Sequence, residues 1–278
     1  MIPPIASKFV AGESPAEAID HARELNDRNV KAILNLLGEH YDARGPADED
    51  AEAYLRLVED IESADADACI SVKPSQVGLD VGVEVFHENV ERIADYAADH
   101  DVFVWIDMED HDTTDATLDI FEKLARKHEG GVGVCVQANL KRTDEDLERL
   151  ADLPGKVRLV KGAYDPPAEV ALKEKSAVNA AYKEQLEYMF QQFDGGIAVG
   201  SHDPEMISYA EDLHDEYGTD FEVQMLMGVR EDAQYDLAEE YEVWQYVPYG
   251  DKWLSYFYRR AMERKENLLF ALRAVVGR

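Results

Sequence analysis

Eight short apolar runs recur along the chain, separated by longer stretches whose apolar residues return every three or four positions. The runs are KAILNLLG from Lys31, ACISVKP from Ala68, VFVWIDM from Val102, VGVCVQA from Val132, KVRLVKGA from Lys156, GIAVGSH from Gly196, FEVQMLM from Phe221 and VWQYVPY from Val243. Such near-continuous hydrophobic runs predict strands covered on both faces. The intervening segments, VEVFHENVERIADYAADH and TTDATLDIFEKLARKH among them, carry the helical period. Ser14, Pro15 and Glu17 announce the first helix with a cap, a first-turn proline and a capping-box acid. Eight strand–helix alternations without a linker or low-complexity stretch predict an α/β fold, a (β/α)8 barrel forming one domain over residues 1–278. An open doubly wound sheet is the rival. The chain has neither a G-x-G-x-x-G nor a G-x-x-x-x-G-K-[ST] phosphate loop, which weakens it.

Composition narrows the function classes. Among 278 residues, 59 acidic side chains face 28 basic ones, a formal charge of −31, while 46% of residues are hydrophobic. The hydrophobic share supplies a core and argues against a disordered acidic chain. The acids are spread rather than gathered in a tail, as on a solvated surface suited to high salt, and self-repulsion at low salt follows. Such a surface repels nucleic acid and anionic membranes. Cys69 and Cys135 each sit in an apolar run, which predicts two buried thiols and fits a reducing cytoplasm. No signal peptide is expected, and no apolar stretch approaches the ~20 residues that span a bilayer.

The strand ends are where candidate chemistry gathers. In an α/β barrel the active site forms where strands hand over to helices. Here those positions hold Lys73, Asp107, Gln137, Arg158, Lys161, Ser201, His202, Gln224 and Tyr246. Any one of them alone reads as a satisfied polar residue at a barrel rim, but seven strands share the habit. Beyond the last run, Lys252, Tyr256, Arg259 or Arg260 and Glu263 fall three or four apart on one helix face. Adjacent arginines in so acidic a chain need an anion or carboxylates between them. One reading is a bidentate clamp on the carboxylate of a small ligand, with Glu263 or Asp107 steadying it. A surface pair balanced by Glu263 and Glu266 is the other. The acids of DMEDHD, Asp107 to Asp112, offer hard oxygen ligands. No paired-histidine motif completes a metal site, and acids favour a helix start, so no metal is expected.

With these motifs placed, the chain resembles the monofunctional proline dehydrogenases. The elements that carry the likeness are FVAGESPAEAI, AILNLLGE, SVKPSQVGLD, IDMED, VQANLKR, RLVKGAY, SHDPEMI, FEVQMLMGVR and YVPYGDKWLSYFYRRAMERKENLL. They span nearly the full length. RLVKGAY and the tyrosine–arginine-pair–glutamate helix are the specific ones. Helices that precede the barrel in many members are expected to be largely missing. The resemblance implies a distorted (β/α)8 TIM barrel whose last helix lies over the mouth, with non-covalent FAD. It implies oxidation of L-proline to Δ1-pyrroline-5-carboxylate, with hydride passing to flavin N5. Electrons would then leave to a quinone or another acceptor, and the product could pass to a pyrroline-5-carboxylate dehydrogenase.

Carried over by motif, Arg259, Arg260 and Lys73 would hold the proline carboxylate. Tyr246 and Tyr256 would pack the ring, Asp107 would hold the arginines, and Glu263 would face the amine. Arg158 would lie near the flavin and Gln137 along its ring edge, while Lys161, Gly162, Ala163, Ser201, His202 and Gln224 would surround the rest of FAD. Two departures stand out: Ser201 replaces the usual threonine and keeps a hydroxyl, and Pro74 follows Lys73. A cytoplasmic protein with at most transient contact at the inner membrane face is expected, and no nucleic-acid partner. Competing readings are a flavin-free barrel lyase or hydrolase acting on a small carboxylate, a non-catalytic binding barrel, and a flavoenzyme for hydroxyproline. Against the last, the Tyr256 hydroxyl would crowd an added ring OH.

Overall fold

A computed structural model describes residues 6–254. Eight parallel strands close on themselves in sequence order, β1-β2-β3-β4-β5-β6-β7-β8. They are β1 (Val30–Leu36), β2 (Ala68–Val72), β3 (Val104–Ile106), β4 (Val132–Gln137), β5 (Lys156–Val160), β6 (Ile197–Gly200), β7 (Phe221–Leu226) and β8 (Glu242–Tyr249). Each coincides with one of the eight apolar runs, β1 and β8 starting one residue before theirs. The barrel closes along β1 and β8, in register from Val30 opposite Val243 to Leu36 opposite Tyr249. Helices alternate with the strands: α1 (Pro15–Asn26), α2 (Arg44–Ala64), α3 (Val83–Asp99), α4 (Thr114–Lys127), α5 (Thr143–Leu150), α6 (Lys175–Gln192), α7 (Pro204–Tyr217) and α8 (Glu231–Leu237). The placement of a final helix over the mouth lies outside the described residues.

Strand alternation divides the core in two. One set, with Ala32, Leu34, Ile70, Val104, Val134, Leu159, Val199, Val223 and Val243, packs against the helices in the main hydrophobic cluster. The opposite set meets inside the barrel, where Ile33, Cys69, Trp105 and Ala198 form a second cluster bordered by Phe103, Trp244 and Tyr246. Both cysteines are buried as free thiols.

The predicted capping box is present at α1. The Glu17 backbone N–H donates to Ser14 Oγ, and the Glu17 carboxylate accepts from the Ser14 N–H at 3.1 Å. The segment before α1 is tied to the end of β8: Ala11 N–H donates to the Pro248 carbonyl and Gly250 N–H to that of Gly12. One local expectation holds in part: Asp110 is the N-cap residue of a 3-10 turn over His111–Thr113, Asp112 lies in its first turn, and the turn runs into α4 at Thr114, but the first two acids of DMEDHD lie ahead of it. Asp107 and Glu109 are buried and hydrogen-bonded across the strand ends instead.

Candidate active site

Positions two apart on a strand face the same way. Ser71 and Lys73, Trp105 and Asp107, Cys135 and Gln137, Glu222 and Gln224, and Trp244 and Tyr246 therefore rise in pairs, with Arg158 among them on β5. Asp107 is the hub. One carboxylate oxygen accepts from Ser71 Oγ at 2.7 Å and from the Arg158 guanidinium. The other accepts from Lys73 Nζ at 3.1 Å and from the Tyr246 hydroxyl at 2.7 Å. Arg158 Nη1 also donates to Gln224 Oε1 at 3.0 Å, and its guanidinium stands 4.9 Å from the Trp105 ring centroid. Lys73, Asp107 and Arg158 are all buried.

A buried carboxylate is costly unless paired. Burial pushes the Asp107 carboxyl up, but Lys73 and Arg158, with the Tyr246 and Ser71 hydrogen bonds, overcome it and hold it well below the usual carboxylate range. Burial works against the Lys73 ammonium; Tyr246 and Asp107 outweigh it and keep the group cationic. The cluster thus sets two cations against one anion, with net positive character in a chain of strongly negative charge.

A second group lies at the ends of β5, β6 and β7. Lys161 Nζ donates to Asn179 Oδ1 at 2.7 Å and to Asp203 Oδ2 at 2.6 Å. Ser201 Oγ accepts the Asp203 N–H at 3.1 Å, and Asp203 caps α7. His202 Nε2 faces the Leu226 N–H at 3.3 Å. It can only accept there, so the proton of the neutral ring sits on Nδ1. Nδ1 is buried and has no hydrogen-bond partner among the described residues. Burial, aided by Arg230, lowers the His202 pKa to about 4, so the ring is neutral near pH 7.

Gly162 has φ +110, and a side chain there would strike Asn139 Oδ1, 2.2 Å from the ideal Cβ. That oxygen too is buried without a hydrogen-bond partner among the described residues. Gln137, at the end of β4, is buried and donates from Nε2 to the Glu109 carbonyl. Ala163 is exposed just beyond Gly162. Pro74 opens the turn after Lys73; the Gln76 and Val77 N–H groups fold back onto the Lys73 carbonyl, and a proline without an N–H costs nothing at that point.

The structure therefore joins Lys73, Asp107, Arg158, Gln224 and Tyr246 by direct hydrogen bonds, and it sets Lys161, Ser201 and His202 in a second group. Tyr256, Arg259, Arg260 and Glu263 lie outside the described residues. Ser71, Asp203, Asn139 and Glu222 were not singled out from sequence. Ser71 and Glu222 carried a signal, standing two residues before a chosen strand-end residue. Asp203 had one as a cap before Pro204. Asn139 had none.

Fold and site together define an α/β barrel with a buried cation-rich cluster at the carboxyl ends of its strands. The family model for proline dehydrogenase matches residues 18–273, and the chain belongs to that family. It is 35% identical over 275 residues to proline dehydrogenase 2 of Bacillus subtilis, covering 97% of this chain and 90% of that one. It is 36% identical over 282 residues to the proline dehydrogenase of Deinococcus radiodurans, covering 98% and 90%. A shorter match, 27% over 183 residues, is to the bifunctional protein PutA of Escherichia coli, 14% of whose length is covered. Among solved structures, proline utilization A from Bdellovibrio bacteriovorus inactivated by N-propargylglycine superposes with a TM-score of 0.85 at 22% identity, over 93% of this chain. This chain spans 32% of that one, and the likeness bears on the fold.

Proposed function

We propose that this chain oxidises L-proline to Δ1-pyrroline-5-carboxylate, the first step of proline catabolism, within one barrel domain over residues 1–278. The observation that carries the reading is the Asp107 hub at the strand ends, fixing Lys73, Arg158 and Tyr246 in a chain that matches the family from residue 18 to 273. Proline loses a proton from nitrogen and a hydride from the ring carbon beside it. The amine must be neutral first, because a cationic nitrogen cannot push electrons into the forming imine. The protein's work is to fix the carboxylate and orient that carbon.

In this reading Lys73, together with Arg259 and Arg260, holds the carboxylate. Tyr246 and Tyr256 pack the ring, and Glu263 faces the amine. Asp107 sets Lys73 and Arg158 in place.

FAD supplies the two-electron acceptor. Arg158, Gln137, Gln224, Lys161, Gly162, Ala163, Ser201 and His202 are the residues that would hold it. One feature fits an oxygen-rich cofactor there: His202 Nδ1 is a buried donor without an acceptor among the described residues. The electron acceptor beyond the flavin is a quinone or a similar two-electron carrier. A pyrroline-5-carboxylate dehydrogenase would consume the product, in keeping with a family match inside a much longer bifunctional relative.

The acidic surface suits a protein working at high salt in the cytoplasm, meeting the membrane only transiently. No helix among the described residues is long and apolar enough to cross one. The test is steady-state turnover of L-proline with a dye acceptor and detection of the cyclic imine. Arg259→Met and Arg260→Met should each raise KM for proline by about tenfold or more, the order of one lost charge-assisted contact. An unchanged KM in both removes the clamp.

A further inference from the structure

The hydrogen bonds around Arg158 do not end at Gln224. The Gln224 amide nitrogen donates to Glu222 Oε1 at 2.6 Å, and Glu222 Oε2 pairs with Lys156. Glu222 is only 4% exposed and Gln224 likewise 4%, both buried inside the barrel. A side-chain amide presents a donor at one end and an acceptor at the other, and its orientation is set by its neighbours. An ionised Glu222 only accepts, so it demands the nitrogen of Gln224. The amide oxygen is then left facing the Arg158 guanidinium, which only donates. Turned the other way, Gln224 would set oxygen against carboxylate and N–H against guanidinium, two repulsive contacts at buried sites. Lys156 offsets the buried charge, and it also stands 3.9 Å from Glu242.

We propose that Glu222 is a positioning residue for proline oxidation: by fixing the Gln224 amide it holds Arg158 in the orientation the reaction uses. This rests on the functional reading above. Glu222 touches neither substrate nor cofactor in it and acts only through Gln224. The geometry makes Arg158 a guanidinium held at two ends, by Asp107 through Nη2 and by Gln224 through Nη1. Loss of either anchor frees it to rotate.

The test uses the full-length enzyme with Glu222→Met, which keeps the chain length without an acceptor, and Glu222→Gln, which keeps an acceptor oxygen. Glu222→Met should lower kcat for proline about tenfold or more, the order lost when a supporting partner is removed, with KM little changed. Glu222→Gln should restore kcat to within about threefold of the parent, on the same scale. In a Gln224→Met background, Glu222→Met should add no further loss, as for two members of one chain of contacts.

A second readout needs no turnover. The Arg158 guanidinium 15N signals, assigned with Arg158→Lys, should show slow rotation in the parent and fast rotation in Glu222→Met. Should Glu222→Met not fold, the Lys156→Met/Glu222→Met double variant removes the unpaired cation as well and carries the same comparison. Wild-type kcat and slow guanidinium rotation in the Met variant overturn the inference, as do losses that multiply in the double variant. If the parent itself fails to oxidise proline, the functional reading falls, and the rotation measurement still decides the positioning role.

Discussion

Asp107 accepts four hydrogen bonds from three strands and their ends, Ser71 and Lys73 at β2, Arg158 on β5 and Tyr246 on β8, so loss of its carboxylate leaves buried donors unpaired. Asp107→Asn removes the charge while keeping the shape. Two cations then remain buried against a neutral amide, a change that costs about 3–5 kcal/mol when one partner of a buried pair is removed. The expected outcome is a clear fall in Tm and a loss of about a hundredfold in kcat/KM, the scale of a misplaced catalytic group. Calorimetry and steady-state kinetics check it.

The same residue sets an acid limit. Its folded pKa lies below the unfolded value of about 3.9. The stability it gives is therefore complete well above that value and is lost as pH falls through and below it. Asp107→Asn should show a shallower loss on that limb. Much of this was legible in the sequence, because Lys73, Asp107, Arg158 and Tyr246 each end or line a predicted strand. The hub itself was not, because sequence places residues on strands but does not say which charges meet across a barrel.

At the scale of the element, the strands were legible because burial on both faces leaves near-continuous apolar runs, and α1 because its capping box is written in Ser14 and Glu17. Of the DMEDHD acids, Asp110 and Asp112 stand at a helix start, whereas Asp107 and Glu109 are buried ahead of it. Acids at a helix start and acids buried by cations read alike in sequence, and only the neighbouring strands distinguish them. Inside the barrel the strands also constrain one another. Gly133 pairs with Trp105, and a Cβ at Gly133 would lie 2.5 Å from the indole. The indole is itself buried beneath Arg158. Gly133→Ala should push the ring toward the guanidinium, destabilise by about 1–3 kcal/mol as overpacking does, and lower kcat more than it raises KM. A variant with parental Tm and kcat would show that the interior has slack.

The whole molecule carries a charge of −31 on a barrel whose cations are largely held by acids, from Arg44 with Asp48 and Glu88 to Arg149 with Asp119 and Glu122. Exposed pairs of this kind contribute little each, so the surplus of acids dominates the surface field. Screening shortens from about 10 Å at 0.1 M salt to about 3 Å at 1 M. Tm should therefore climb steadily across that range, and a flat or falling Tm would remove the high-salt reading. The charge was legible in composition, and the buried fate of both cysteines in the apolar runs that hold them. Arg259 and Arg260 lie outside the described residues, so their part rests on the family motif.

The central claim is that proline gives two electrons to a flavin held at these strand ends. It is tested most directly by the visible spectrum of the protein purified in molar salt with FAD, recorded before and after anaerobic L-proline. The account predicts flavin bands that bleach on addition of proline and return with an acceptor. Bands that stay oxidised would contradict the assigned substrate, and a protein that takes up no flavin would contradict the oxidation itself and favour a flavin-free barrel acting on a small carboxylate.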